Sequence, residues 1–251
     1  MLKEKIQYLI CLPLIITPLY IQAANIPKPL ALKSSKQLIL VITNNWRTKH
    51  GTLQYFSRTK TNQKWQAVSK PLPIFVGQTG MAWSAAYRKF NLIGPYKTEG
   101  DFKSPAGVFS LKYAFGFTQT KDPQIKLAYI PLKNSTVCVA DPNSEYYNQV
   151  IDRKKIASPD WRYQEIMRST SQYQYGIIVD YNRPNAKPYD GSCIFAHIWD
   201  QPYSAGTAGC TSMSKNNLKR LLYWLNPAAK PVIVQLPKMQ YQLLKSSWQL
   251  P

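Results

Sequence analysis

Apolar and polar positions alternate along this chain in short runs, and the first clear run, Gln37-Leu-Ile-Leu-Val-Ile-Thr43, is apolar almost throughout. A run of that length, rich in branched residues, reads as a strand buried on both faces. Shorter runs follow at Gly51 to Phe56, Lys64 to Val68 and Leu72 to Val76, separated by polar turn residues at the spacing of an antiparallel sheet. Gly77 to Gly80 and Gly94 to Gly107 are turn-rich, and Gly107 to Tyr113 resumes the strand pattern. Further strands are predicted at Tyr175 to Tyr181, Ser192 to Ile198 and Pro231 to Gln235. Between the last two the period changes. Leu218, Leu221, Leu222 and Leu225 fall at i, i+3, i+4 and i+7, Ser214 stands where an N-cap belongs, and Asn226-Pro227 ends the helix. Tyr146, Val150 and Ile151 also sit at helical spacing, followed by Trp161, Ile166 and Met167, so Asp141 to Thr170 is predicted to hold one or two short helices.

The expected class is mainly β with a few short helices. No internal repeat or linker interrupts the pattern, so the expected plan is a polar leader over 25–36, a single domain over 37–240 and a C-terminal tail over 241–251. Of 251 residues, 45% are hydrophobic and 18% charged, enough apolar surface for a core and too little charge for a disordered chain. With 19 Pro and 17 Tyr, a helical bundle is disfavoured, because proline breaks helices and aromatic side chains favour pleated surfaces.

Residues 1–24 read as a secretory signal peptide. Lys3 and Lys5 precede an apolar run from Ile6 to Ile21, which ends in Gln22-Ala23-Ala24. Pro13 and Pro18 interrupt the run and it is short for a bilayer span, so an uncleaved anchor is the weaker reading. Cys11 lies inside the run, which does not suit lipid attachment. The chain is thus expected to be exported, to the periplasm or cell envelope, beginning at Ala24 or Asn25 with no stable membrane anchor.

The 32 Lys and Arg against 12 Asp and Glu give a formal charge of +20. Nucleic acid is the familiar partner of such a charge, but export and the lack of a basic run with interleaved aromatics argue against it. Outside the cytoplasm the abundant polyanions are wall peptides, with their free carboxylates, and membrane surfaces. Lys97, Lys103, Arg183 and Lys187 lie in segments expected to flank the site and to attract them.

Beyond the signal segment the cysteines are Cys138, Cys193 and Cys210, an odd number: all are free, or two pair and one is left as a thiol. No Cys-x-x-Cys is present, and His50 and His197 are the only histidines, so neither a metal nor a cofactor is expected. Cys210 follows a glycine and precedes the capped helix. There the helix dipole and unpaired backbone N–H groups are expected to lower its pKa and to cradle an oxyanion. His197, at the end of a predicted strand, would complete a Cys-His pair. Taken alone, a single cysteine and histidine are better read as a buried small residue and a satisfied core imidazole.

The stretch Gly191-Ser-Cys-Ile-Phe-Ala-His197 followed by Gly206-Thr-Ala-Gly-Cys-Thr-Ser-Met213 resembles the active-site signature of the L,D-transpeptidase catalytic-domain (YkuD-type) family of cell-wall enzymes. Lys97-Thr-Glu-Gly-Asp-Phe-Lys-Ser-Pro-Ala-Gly-Val-Phe109 is similar to that family's Thr-Pro-x-Gly-x-Phe element, with Ser104 in the Thr place. The resemblance spans roughly residues 70 to 236 and implies a β-sandwich-like L,D-transpeptidase catalytic domain. It implies that Cys210 is the acylated nucleophile, that His197 is its base, that Gly209 and Thr211 belong to the oxyanion loop, and that the carbonyl of Ile198 orients the imidazole. Asp180, Asp190 and Asp200 are not expected in a triad. Ala208 and Ser212 depart from the family's frequent His and Arg, which bears on substrate choice. Peptidoglycan stem peptides are the implied partner. An L,D-carboxypeptidase using the same dyad and a catalytically silent, basic wall-binding protein are the alternatives. With Cys210 as nucleophile, Cys138 and Cys193 are the expected disulfide, with two buried free thiols as the other reading.

Overall fold

In chain order the strands are β1 (Gln37–Thr43), β2 (His50–Ser57), β3 (Gln66–Ala67), β4 (Leu72–Phe75), β5 (Met81–Trp83), β6 (Ser104–Gly116) and β7 (Ala128–Pro131). They continue as β8 (Thr136–Val139), β9 (Val150–Asp152), β10 (Gln164–Ile166), β11 (Tyr175–Val179), β12 (Phe195–Ile198), β13 (Thr211–Met213) and β14 (Val232–Pro237). Among the described residues three α-helices, α1 (Leu30–Ser34), α2 (Lys215–Trp224) and α3 (Lys238–Trp248), accompany them. A computed structural model describes residues 26–199 and 206–251. The signal segment, the expected mature terminus and Asp200 lie outside the described residues.

The apolar run of β1 serves two cores at once. Ile39 and Val41 belong to one, Leu38 and Leu40 to another, which is why the strand has no polar face. β14 divides in the same way, with Ile233 on one side and Val232 and Val234 on the other. The main sheet runs β1-β14-β6-β11-β12-β13-β4-β2, and β2 pairs again with β1, so the sheet closes on itself as a barrel. Closure removes the exposed edges that an open sheet would have to protect. The β1–β14 and β12–β13 pairs are parallel and the other ring pairs antiparallel.

The α2 helix packs its stripe into the inner core through Leu218, Leu221 and Leu222. Ser214 caps it, accepting from the N–H of Asn217 at 3.3 Å. The segments read from sequence as leader and tail pack on the outer face of the barrel. Leu32 of α1 and Trp248 of α3 are fully buried there, and the Trp248 indole donates to the carbonyl of Ile26 at 3.2 Å. Arg58 closes the end of α1 by donating to the carbonyls of Leu32 and Ser35, both at 2.9 Å.

The stretch Asp141 to Thr170 departs from expectation. In place of one or two α-helices it contributes β9, β10 and a short 3-10 turn over Arg153–Lys155, and β8 joins them in a three-stranded antiparallel sheet. Polar side chains divert the backbone from helix. The Asp141 carboxylate accepts from the N–H groups of Asn143 and Arg162 at 3.0 and 2.8 Å, and Asp160 accepts from the Ser144 hydroxyl and the Glu145 N–H. Pro142 and Pro159 add their own breaks.

Candidate active site

Parallel strands β12 and β13 bring the two chemistry-bearing residues together. Ala196 stands opposite Thr211 and His197 opposite Ser212, so alternation turns Phe195, His197, Cys210 and Ser212 to one side. The N–H of Phe195 donates to the Cys210 sulfur at 3.3 Å. Cys210 and His197 both line a cavity of about 410 Å³, together with Glu99, Glu165, Tyr173 and Trp199. Ala208 and Ser212, the two departures from the family pattern, face the same cavity.

His197 is 4% exposed, and its Nδ1 lies 2.7 Å from the carbonyl oxygen of Ile198. A carbonyl only accepts, so Nδ1 carries the proton and Nε2 is the basic atom of the ring. The imidazole also packs edge-on against Tyr173, with ring centroids 5.2 Å apart.

The loop before Cys210 is fixed from within and from β6. Thr207 Oγ1 accepts from the Gly209 N–H at 3.1 Å and donates to the Cys210 carbonyl at 2.6 Å. Ser104, fully buried at the start of β6, faces the carbonyls of Gly209 and Cys210 at 2.7 and 2.9 Å and accepts from the Gly77 N–H at 2.9 Å. Gly209 has φ +142, and a Cβ there would stand 3.1 Å from the Lys103 carbonyl oxygen, so both conformation and space call for glycine. Gly209 therefore spends its N–H inside the loop. The hydroxyl of Thr211 is bonded to Gln235 at 2.5 Å.

Two sequence expectations about Cys210 change. β13 and the Ser214 cap separate it from α2, and the field of a helix terminus fades within about a turn, so the dipole does not reach the sulfur as expected. Nor is the thiol pKa lowered. Burial pushes it up first and the nearby Glu165 carboxylate second, while the Phe195 N–H, Lys97 and the Tyr173 hydroxyl pull it down.

Cys138 and Cys193 form a disulfide that ties β8 of the small sheet to the segment leading into β12. Strand β12 begins at Phe195, later than the predicted Ser192, because Cys193 has φ +55 and breaks the extended run. Cys210 is free and buried.

The segment of Lys97 and Lys103 flanks the site through Gly100 and Phe102, but none of the expected basic side chains lines the cavity. Lys97 is buried and paired with Asp101 at 2.5 Å, and the Lys103 ammonium donates to the Thr79 carbonyl at 2.7 Å. Arg183 and Lys187 line a separate cavity of about 320 Å³ with Asp180 and Asp190. Asp180 pairs with Lys112 and Asp190 with Arg88. Among the described residues lining the main cavity there is no Lys or Arg, and the carboxylates are Glu99 and Glu165.

Sequence reading missed Glu165 and Tyr173. Glu165 falls where a helix was expected, and the alternation that would have marked β10 lasts only three residues; Tyr173 sits in the short 3-10 turn Ser171–Gln174, to which no element was assigned.

The sequence matches the family profile of the L,D-transpeptidase catalytic domain, YkuD, over residues 48–234. No curated protein and no solved structure matches the chain.

Proposed function

The chain belongs to the L,D-transpeptidase catalytic-domain family of peptidoglycan enzymes, and from that premise we propose that it is an exported cysteine acyltransferase with Cys210 as nucleophile and His197 as base. The observation that carries the reading is the parallel β12–β13 register, which sets an imidazole with a basic Nε2 and a thiol on one side of one cavity. Cys210 Sγ attacks the carbonyl joining the third residue of a tetrapeptide stem to its terminal D-Ala. Its proton passes through His197 to the leaving nitrogen as the C–N bond breaks, so D-Ala departs and a thioester stays on Cys210. The amine of a second stem then attacks the thioester, forms the cross-link and returns the proton to sulfur.

Gly209 shapes the turn, its own N–H being spent on Thr207, and the backbone of Cys210 and Thr211 faces the developing oxyanion. Residues 1–24 direct export. Among the described residues no helix is long and apolar enough to cross a membrane. The Phe75, Trp199 and Tyr173 rings give the cavity apolar walls, while Glu99 and Glu165 favour a substrate group that is neutral or cationic over a free carboxylate.

Incubation of the mature protein with purified muropeptides, followed by mass analysis, tests the reading. Dimers are expected. Shortened monomers alone would mean that water resolves the thioester, making the protein an L,D-carboxypeptidase. No product, with retention on wall sacculi, would leave a binding protein. A carbapenem is expected to add once per chain at Cys210, Cys210→Ala to abolish adduct and turnover, and His197→Ala to slow both by about 10² to 10⁴. An adduct on another residue would overturn the dyad.

A further inference from the structure

His197 and the oxyanion loop leave two polar side chains at the nucleophile without a role, Glu165 of β10 and Tyr173 of the 3-10 turn Ser171–Gln174. The Tyr173 hydroxyl donates to Glu165 Oε1. Tyr173 packs in one buried cluster with Cys210 and lines the same cavity. Its ring is held edge-on by Phe115, Phe195 and His197, with centroids 5.2 to 5.7 Å away, and the turn that carries it is capped by Thr170. The phenol is thus fixed in place while its proton remains free to rotate.

A tyrosine hydroxyl has one proton to give. With that proton directed to the carboxylate, it is not given to Cys210, whose own thiol donates to the Cys193 carbonyl at 3.5 Å, so at rest the phenol does not stabilise a thiolate. A phenylalanine would satisfy the aromatic packing equally well, and a carboxylate held in a largely apolar pocket is costly unless it is bonded. Packing alone therefore explains neither group.

We propose that Tyr173 is a further catalytic residue and Glu165 the positioning residue behind it, forming a second arm on the nucleophile that holds the thiol neutral until His197 takes its proton. The inference rests on Cys210 being the nucleophile. As His197 removes the proton, the Tyr173 hydroxyl turns from Glu165 to the thiolate; when the S–C bond forms it turns back, and no proton is gained or lost by the arm. Thiolates, unlike thiols, are the species that oxidants attack, so a thiol kept neutral at rest suits an oxidising compartment. The titratable groups that bear on the sulfur are His197 from β12, Tyr173 from its turn, Glu165 from β10 and Lys97 ahead of β6, with Glu99 lining the same cavity.

The test is the pH profile of Cys210 alkylation by iodoacetamide, followed by intact mass, in the full-length mature protein with its disulfide intact. Glutamine keeps an acceptor for Tyr173 and removes the charge, so Glu165→Gln is expected to move the profile down by about one pH unit, making alkylation near neutral pH about tenfold faster. Tyr173→Phe removes the hydroxyl that can donate to the thiolate and is expected to move it up. Shifts of opposite sign support the arm; coincident profiles, or shifts of one sign, overturn it. Should Glu165→Gln fail to fold, the direction of the Tyr173→Phe shift decides, an upward shift supporting the arm and any other result overturning it. Alkylation needs no peptidoglycan, so inactivity on muropeptides would count against the proposed function and leave this readout standing.

Discussion

The ring strands β1, β2, β4, β6, β11, β12, β13 and β14 contain no Asp or Glu, and their apolar side chains fill the barrel's inner and outer cores. In the small sheet, β9 and β10 are only half-buried or exposed, and Asp141, Asp152 and Asp160 hold its turns through hydrogen bonds. One region is held by apolar area, the other by placed polar bonds and a disulfide. The candidate site lies where they meet, with Cys210 and His197 supplied by the barrel and Glu165 by the small sheet.

That difference decides what could be read from sequence. The barrel announces itself through runs such as Gln37–Thr43, whose predicted bounds coincide with β1, and through the leucine stripe of α2, because hydrophobic burial leaves a period in the chain. The proposed nucleophile and base stand out in the sequence for another reason: the stretches around them resemble a family signature, and the backbone geometry that signature needs, a glycine at Gly209, is local. Asx turns leave no comparable period. Tyr146, Val150 and Ile151 happened to fall at helical spacing, so the small sheet was mistaken for helix and Glu165 went with it, while Tyr173 lies just beyond in a 3-10 turn too short to leave a period. The outer core contributed by α1 and α3 was missed because the leader and tail are polar on average and bury only a few side chains each, Leu32 and Trp248 among them.

The largest test of the contrast is to unfasten the small sheet. The Cys138–Cys193 bridge closes a span of 55 residues, which in the chain-entropy model contributes about 4 kcal/mol. The double variant Cys138→Ser, Cys193→Ser is expected to lose stability of that order in urea unfolding, with Cys210 still alkylated once per chain. A loss below about 1 kcal/mol would mean that packing holds the small sheet much as it holds the barrel.

On the barrel side the corresponding link is a single hydroxyl. Ser104→Ala deprives the carbonyls of Gly209 and Cys210 and the N–H of Gly77 of a shared partner in a fully buried place. A cost of about 1 to 3 kcal/mol is expected. Carbapenem acylation should slow as well, because the Cys210 loop loses its tie to β6. Unchanged acylation at the same loss of stability would show that Thr207 alone sets the loop.

The smallest effect concerns acid, and it separates the regions by charge. Hydrogen bonds hold all three small-sheet aspartates below the ordinary carboxylate range: Asp141 chiefly through the Arg162 N–H, Asp152 through the Ser135 hydroxyl, and Asp160 through the Ser144 hydroxyl. A carboxyl group whose pKa is depressed on folding contributes stability above its unfolded value, near 3.9, and that stability fades as pH falls through the lower folded value. Glu165 runs the other way. Burial raises its pKa, so protonating it favours the folded sheet, one group against three. The ring strands have no carboxylate to titrate. Acidification below about pH 4 is therefore expected to loosen residues 136–166 before the barrel, and brief pepsin digestion at pH 2 to 3 should cut there first. Asp141→Asn, which cannot ionise, should already loosen the segment at neutral pH and blunt its further response to acid. First cuts within β1, β6 or β14 would instead place the weak region in the barrel and reverse the comparison.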